Sequence, residues 1–211
     1  IIRFNRDIKD FGCWNDSTLY PGEKEIYGTR MGAYIDFDKS SPQIQVQIAT
    51  SFISIEQARM NLEHEVPEWD FKQLCNNTKK AWNDKLSKFH IKGNNKDDAP
   101  IFYTALYHCY LFPREFSEYG KYYSAFDDKI HDGFSYNDYS LWDTFRAFHP
   151  LMTLIEPELT GDWITALLQM YKEGGWLPMW PNPSYTNIMI GTHADAVIAD
   201  AYMKGIRNYD I

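Results

Sequence analysis

Four short segments of the sequence combine acidic, basic and aromatic residues more densely than simple connections between elements require. They are residues 116–131, 140–146, 174–181 and 191–195. Aromatic rings offer flat apolar surfaces, and the neighbouring polar groups offer hydrogen bonds. Each segment lies near a predicted helix end, so in an array of helical hairpins several of them can meet at one rim and line one pocket.

The segment 140–146 reads Ser-Leu-Trp-Asp-Thr-Phe-Arg. Asp143 and Arg146 stand three positions apart, which places an acid and a base on one helical face. In one interpretation, the two side chains hold the hydroxyls of a sugar whose ring packs on Trp142. In the other, they form a local ion pair and Trp142 belongs to the core. The spacing alone favours the second interpretation and leaves the first open.

The segment 191–195, Gly-Thr-His-Ala-Asp, also supports two interpretations. Thr192 and Asp195 have the spacing of a capping box ahead of an apolar run, with His193 in the first turn of the helix. Alternatively, His193 and Asp195 lie at the rim of a pocket. The residues by themselves favour the cap.

The other two segments are predicted to be a rigid aromatic loop and a solvated turn. Residues 174–181, Gly-Gly-Trp-Leu-Pro-Met-Trp-Pro, form a rigid loop in which Trp176 and Trp180 supply flat surfaces. In the segment 116–131, the adjacent Asp127 and Asp128 lack the ligand pattern of an EF-hand. We therefore predict a solvated turn at these two aspartates and no metal site.

Composition and missing motifs exclude several classes of function. The net charge is −8 and no cluster of Lys and Arg occurs, which argues against nucleic acid as a partner. No apolar run approaches the roughly 20 residues that a membrane helix needs. The sequence has no CxxC pair, phosphate-binding glycine loop, nucleophile elbow or His-Glu-x-x-His motif.

The elements that must position these segments change in character along the chain. Residues 31–36 and 43–49 alternate as strands around a turn at Ser40-Ser41-Pro42. Ser54 is a predicted N-cap with Gln57 three positions on, and the pattern then becomes helical. A short hairpin is expected within residues 114–137. We predict helices over residues 55–65, 70–90, 99–112, 138–155, 161–173 and 193–205. Pro150 is expected to disturb the helix over residues 138–155.

Taken together and in order, these segments resemble glycoside hydrolase family 92. The matching stretch covers about residues 105–205, and several long motifs in the same order make it specific. The motifs are Tyr122-Tyr123-Ser124-x-Phe126-Asp127, Ser140-Leu141-Trp142-Asp143-Thr144-Phe145-Arg146, Gly174-Gly175-Trp176-Leu177-Pro178-x-Trp180-Pro181 and Gly191-Thr192-His193-Ala194-Asp195.

The resemblance implies a fold and an activity. Members of the family are calcium-dependent exo-acting α-mannosidases that invert the anomeric carbon, with a β-sandwich followed by an (α/α)6 barrel. The implied class is α+β: residues 1–53 end the sandwich, residues 54–96 are linker helices, and residues 97–211 form the first half of the barrel. The general acid, the base and the Ca2+ ligands are expected beyond residue 211. We therefore expect no catalytic residue and no metal ligand in this chain, and no activity of this chain alone.

The resemblance also assigns binding roles. Trp142 and Asp143 would recognise a terminal mannose, and Arg146 would orient Asp143 or reach the sugar. The rest of the rim would come from aromatic and polar residues of the two later segments, namely Trp176, Trp180, His193 and Asp195.

The expected partner is a mannose-containing glycan, an N-glycan or a mannan, met in the periplasm or outside the cell. Half a barrel leaves an apolar seam, so the rest of the barrel or another chain is expected to cover it. Two alternative functions are compatible with the same helical fold but involve no hydrolysis. One is a non-catalytic carbohydrate-binding protein, and the other is a helical scaffold that binds proteins and uses its aromatic residues as core.

Overall fold

A computed structural model describes residues 1–39 and 43–210 of the chain, so the predicted turn at residues 40–42 lies outside the described residues. The chain divides into two compact units. The first contains residues 1–50 and 58–71, and the second contains residues 51–57 and 72–211. Strands come first and helices dominate afterwards, which confirms the predicted α+β class.

The first unit is built from antiparallel strands and one helix. Strands β2 (Asp10–Asn15), β3 (Thr18–Pro21) and β4 (Met31–Asp36) form a three-stranded sheet in the order β3-β2-β4. Strands β1 (Ile2–Phe4) and β5 (Val46–Ile48) form a separate pair. Helix α1 (Ile55–Glu65) follows, and the Gln57 N–H bonds to the Ser54 hydroxyl at 3.0 Å, as the predicted N-cap requires.

The alternation predicted for β4 and β5 is present, but the apolar faces point outward. Met31 and Ile35 are 45% and 37% exposed, and Val46 and Ile48 are also exposed. The buried residue of β5 is Gln47, whose amide donates to the carbonyls of Val66 and Glu68 and accepts a bond from Arg3. A polar residue is buried here because its hydrogen bonds are satisfied.

The second unit begins with two long helices and two short strand pairs. The helices are α2 (Phe71–Leu86) and α3 (Asp98–Cys109). Strand β6 (Arg114–Glu115) pairs with β9 (Tyr136–Asn137), and β7 (Lys121–Ser124) pairs with β8 (Lys129–Asp132) in a hairpin. The hairpin predicted within residues 114–137 is therefore present.

Four more helices complete the second unit: α4 (Leu141–Thr144), α5 (Phe148–Ile155), α6 (Pro157–Gly174) and α7 (His193–Met203). The helix predicted over residues 138–155 is interrupted, but before Pro150 and not at it, because α4 ends at Thr144 and α5 begins at Phe148. Pro150 then falls in the first turn of α5, where its missing N–H would have no partner in any case. Helix α6 ends at Gly175 with φ of +97°, as the glycine pair predicted.

The core of the second unit lies among α4, α5, α6 and α7. Its fully buried members include Leu141, Met152, Trp163 and Leu167, with Ala194 and Val197 contributed by α7. The Tyr139 hydroxyl is satisfied inside this core by the Trp163 carbonyl at 2.9 Å. The core therefore holds two parts of the chain in place: the segment that contains α4, and the start of α7. None of the helices in the described residues combines the length and the apolar character needed to cross a membrane.

Candidate functional site

Helix α4 directs one side chain into the core and two away from it. Leu141 is completely buried, whereas Trp142 is 41% exposed and Asp143 is also exposed. The Ser140 hydroxyl donates to Oδ2 of Asp143, and the Thr144 hydroxyl donates to the Ser140 carbonyl at 2.8 Å. The interpretation that buries Trp142 in the core is therefore wrong, and the Asp143 carboxylate faces solvent in a fixed orientation.

The guanidinium of Arg146 packs against two aromatic rings. Its guanidinium carbon lies 4.9 Å from the centre of the Trp142 ring and 4.4 Å from the centre of the Phe145 ring. Its Nη1 donates to the Trp142 carbonyl at 2.9 Å. Because a guanidinium over an aromatic face is attracted by the ring quadrupole, Arg146 holds Trp142 in place.

Phe145 connects α4 to the start of α7. Its ring stacks on the ring of His193 with centroids 4.2 Å apart and planes 4° apart. A side chain at Gly191 would come within 2.9 Å of the same imidazole, so this glycine permits the His193 position. A continuous stack of side chains therefore joins α4 to α7, and its members in order are Trp142, Arg146, Phe145 and His193.

Asp195 lies two positions after His193 and is exposed. Its carboxylate accepts the Thr192 hydroxyl at 3.2 Å and the Ala196 N–H at 2.8 Å. Thr192 does occupy the N-cap position of α7, but its hydroxyl is directed to Asp195 and makes no capping bond to the helix backbone. The predicted capping box is thus replaced by a hydrogen bond between the two side chains.

The two tryptophans of the 174–181 loop are placed differently. Trp180 lines a cavity together with Ser140 and Thr144, whereas Trp176 does not line it and is 64% exposed. The Trp176 ring packs on Tyr185 at 5.7 Å, and the Tyr185 hydroxyl donates to the Trp176 carbonyl at 2.6 Å. The structure therefore brings Trp180 to the α4 segment and keeps Trp176 on the Tyr185 side of the loop.

The cavity beside α4 has a volume of about 670 Å3, which is within the range of small-molecule pockets. Its walls include polar residues that the sequence patterns did not single out. Asp138 forms an ion pair with Arg114 at the wall, and its own side chain is only 8% exposed. Asp138 adopts φ of +64°, a conformation that aspartate tolerates better than most residues and that the sequence alone does not reveal.

His149 is the most deeply placed polar residue of this wall. It is 2% exposed, and burial lowers its pKa to about 4, so the imidazole is neutral near neutral pH. Within residues 1–39 and 43–210, neither its Nδ1 nor Nε1 of Trp180 has a hydrogen-bond partner. Both ring nitrogens are themselves buried, so two wall residues of the cavity each carry a polar atom without a protein partner.

A second polar cluster lies between the β7–β8 hairpin and the end of α6. Asp127, His131 and Glu173 bring their ligand atoms within 4.8 Å of one another, the one such group found in the described part of the chain. The predicted solvated turn is correct for Asp128, which is exposed, but the Asp127 side chain is only 16% exposed and bonds to His131. Sequence spacing did not reveal this cluster, because Glu173 is far from the hairpin along the chain.

The cluster does not suit the calcium ion that the resemblance implies. Ca2+ takes roughly six to eight oxygen ligands, whereas this group offers two carboxylates and an imidazole. Ca2+ ligands beyond residue 211 stay a prediction.

Comparison with known proteins identifies relatives of this chain. The profile of the glycosyl hydrolase family 92 catalytic domain matches residues 57–211. An uncharacterized secreted glycosidase of Arthroderma benhamiae is 27% identical over 191 residues, which are 86% of this chain and 20% of that protein.

Solved structures give closer matches. An inverting mannosidase of family GH92 from Bacteroides thetaiotaomicron is 34% identical with a TM-score of 0.91, over 99% of this chain and 29% of that one. A GH92 α-mannosidase from Bacteroides thetaiotaomicron, solved in complex with mannoimidazole, is 25% identical with a TM-score of 0.82 over the same fractions. The chain thus spans less than a third of the relatives it matches.

Proposed function

This chain belongs to glycosyl hydrolase family 92, and on that premise we propose that it is part of an exo-acting α-mannosidase that inverts the anomeric carbon. The family makes it a piece of a glycoside hydrolase. The narrower activity is supported by its similarity to a mannosidase at 34% identity. Since the chain spans 29% of that relative, the proposal concerns the whole protein to which it belongs.

The observation that carries the proposal is the exposed Trp142–Asp143 pair, which lies in sequence between Ser140 and Thr144 of the cavity wall but does not itself line the cavity. Trp142 offers a ring face that Arg146 holds in place, and Asp143 offers a carboxylate that Ser140 orients. In our proposal, Asp143 accepts hydrogen bonds from hydroxyls of the terminal mannose while the sugar ring packs on Trp142. A carboxylate held in advance loses little freedom on binding, which favours affinity.

The other predicted rim residues receive different roles. His193 reaches the site through its stack on Phe145, and Trp180 reaches it through the cavity wall. Arg146 acts as a positioning residue for Trp142. Asp195 and Trp176 are the weakest members, because Asp195 is engaged by Thr192 and Trp176 packs on Tyr185.

Inverting hydrolysis requires two carboxylic groups about 6.5–9.5 Å apart, one to protonate the leaving oxygen and one to activate water. We assign neither role, nor any Ca2+ ligand, to a residue of this chain. Its own side chains bind and orient the sugar, and catalytic groups are proposed for the remainder of the protein.

We further propose that residues 1–53 end a β-sandwich and that residues 97–211 form part of an (α/α)6 barrel. Large apolar side chains remain uncovered in the second unit, including Ile101, Leu154 and Met203, which are 68%, 76% and 82% exposed. Such surface is the place where the remaining barrel helices would pack. We also propose that the protein is exported to the periplasm or the extracellular space. Its similarity to a secreted glycosidase supports this location.

The test uses the full-length protein and an aryl α-mannoside, with and without a chelator. We expect hydrolysis that yields the β-anomer, and a roughly 10- to 100-fold lower kcat/KM for Asp143→Ala, since a hydrogen bond to a charged group contributes about 1.5–3 kcal/mol. Asp84→Ala, an exposed aspartate of α2, is the matched control and should leave kcat/KM unchanged. Unaltered kcat/KM in Asp143→Ala would refute the site, and mannose binding without turnover would refute the enzyme.

A further inference from the structure

The cluster of Asp127, His131 and Glu173, which we call the hairpin triad, is separate from the sugar site. Asp127 and His131 belong to the β7–β8 hairpin, and Glu173 lies in the last turn of α6. Nε2 of His131 lies 3.1 Å from both carboxylate oxygens of Asp127 and 3.9 Å from Oε1 of Glu173. One imidazole nitrogen therefore faces oxygens from two different elements.

Neighbouring side chains fix the triad in this arrangement. The hydroxyls of Tyr122 and Ser124 donate to the two carboxylate oxygens of Glu173, at 2.5 and 2.6 Å. The His131 ring stacks on the Tyr122 ring with centroids 5.4 Å apart. Hydrogen bonds and packing of this kind around ligand side chains are what orient the ligands of metal sites.

The charge of the triad leaves a place for a cation. Two carboxylates face a single imidazole, and their side chains are only 16% and 9% exposed. The Lys129 ammonium lies 3.4 Å from Asp127, on a side chain that is 70% exposed. Since Lys129 is exposed and flexible, a divalent ion can displace it more easily than it could displace a buried partner.

We propose that Asp127, His131 and Glu173 form a binding site for a divalent transition-metal ion of the zinc class. An imidazole with two carboxylates suits zinc and its neighbours, whereas calcium and magnesium prefer ligand sets made of oxygen alone. Tetrahedral zinc with bonds of about 2.0–2.1 Å separates its ligand atoms by roughly 3.3 Å. The His131–Asp127 separation of 3.1 Å is close to that value, the His131–Glu173 separation is 3.9 Å, and all three ligand atoms lie within 4.8 Å of one another, so an ion would draw Glu173 inward. His131 remains 31% exposed, which leaves a fourth position to water.

The bound ion would fasten the hairpin to the end of α6, just before the loop that contains Trp176 and Trp180. The inference does not rest on the sugar-binding proposal, because its three ligands are none of the residues to which sugar contacts are assigned.

The experiment titrates Zn2+ into the purified, untagged protein by calorimetry, after treatment with a chelator and in buffer saturated with Ca2+ so that calcium sites stay filled. We expect one zinc ion for each chain, and at least a tenfold loss of affinity in His131→Gln and in Glu173→Gln. Tetrahedral absorption bands of Co2+ in the same site provide a second readout. Circular dichroism establishes that each variant is folded.

Two variants serve as matched controls. Asp128→Asn removes the neighbouring acid of the same turn, and His90→Gln removes an exposed histidine of the same unit. Both should bind zinc as the unaltered protein does. The proposal is overturned if the unaltered protein shows no saturable binding, or if folded His131→Gln binds zinc with unchanged affinity. Tyr122→Phe, which keeps all three ligands, should weaken binding less than either ligand substitution.

Discussion

Glu156 joins three elements of the second unit, and its replacement is the sharpest test of how that unit is held together. It precedes α6, and its Oε1 accepts bonds from Lys85 at 2.9 Å, from Lys88 at 2.7 Å and from the Tyr110 hydroxyl at 3.1 Å. Its side chain is only 11% exposed. Glu156→Gln keeps the shape and removes the charge that attracts both lysines.

The expected loss follows from these contacts. A hydrogen bond with one charged partner contributes about 1.5–3 kcal/mol, and a neutral one about 0.5–1.5 kcal/mol. Both lysines are more than a third exposed, at 45% and 39%, so solvent screens part of the difference. We therefore expect Glu156→Gln to lower the free energy of unfolding by about 1–2 kcal/mol near neutral pH.

The effect should depend on pH in a defined direction. Burial opposes ionisation of Glu156, but the hydrogen bonds from Lys88, Lys85 and Tyr110 outweigh it and hold the pKa of the carboxyl below its ordinary value. Because the folded-state pKa is lowered, the stabilisation is complete at pH values above the ordinary glutamate pKa of about 4.3. It disappears as the pH falls through the folded-state pKa. The difference between Glu156→Gln and the unaltered protein should therefore shrink in acid.

Urea-induced unfolding at about pH 7 and about pH 3 measures this difference directly. The matched control is Glu158→Gln, which removes an exposed carboxylate from the same first turn of α6. That control should change the stability by less than about 0.5 kcal/mol. If the two substitutions have equal effects at neutral pH, the three-element contact does not stabilise the fold and our reasoning is wrong.

Two further substitutions test the surroundings of the candidate site. His149 has a folded-state pKa of about 4 against an ordinary 6.5, so burying it neutral costs stability as pH falls from 6.5 to 4. We expect His149→Gln to reduce the unfolding free energy lost between pH 6.5 and pH 4, measured with urea, by up to about 3 kcal/mol, and an unchanged loss would contradict the burial. Gly191→Ala places a Cβ 2.7 Å from Nε2 of His193 at φ of +113°, whereas Gly205→Ala meets no atom within 4 Å at φ of +91°. Thermal unfolding should therefore show the greater loss for Gly191→Ala, and equal losses would mean that backbone strain alone acts.

The sequence predicted the fold class and most helices because the apolar residues recur at helical spacing. The positions of α1 and α7 and the glycine end of α6 were predictable from caps and punctuation residues. The break between α4 and α5 was not, since Pro150 suits the first turn of a new helix as well as a kink in an old one. The exposed apolar faces of β4 and β5 were not predictable either, because alternation identifies a shared face without saying what covers it.

The candidate site shows the same division. The sequence indicated Trp142, Asp143 and His193, whose neighbours along the chain form recognisable motifs. It gave no indication that Phe145 would join them, or that His149 and Asp138 would line the cavity wall. These contacts depend on how α4, α5 and α7 pack, and packing of residues far apart in sequence has no local signal.

The direction of each α4 side chain follows from one buried residue. Successive positions on a helix differ by about 100°, so when Leu141 points into the core, Trp142 and Asp143 must turn away from it. Phe145, four positions after Leu141, returns toward the core and meets His193. Arg146, four positions after Trp142, returns to the outward side and covers the Trp142 ring. Asp143 therefore faces furthest from the core, so its replacement should remove a sugar contact with little effect on stability, whereas replacing Phe145 should disturb both.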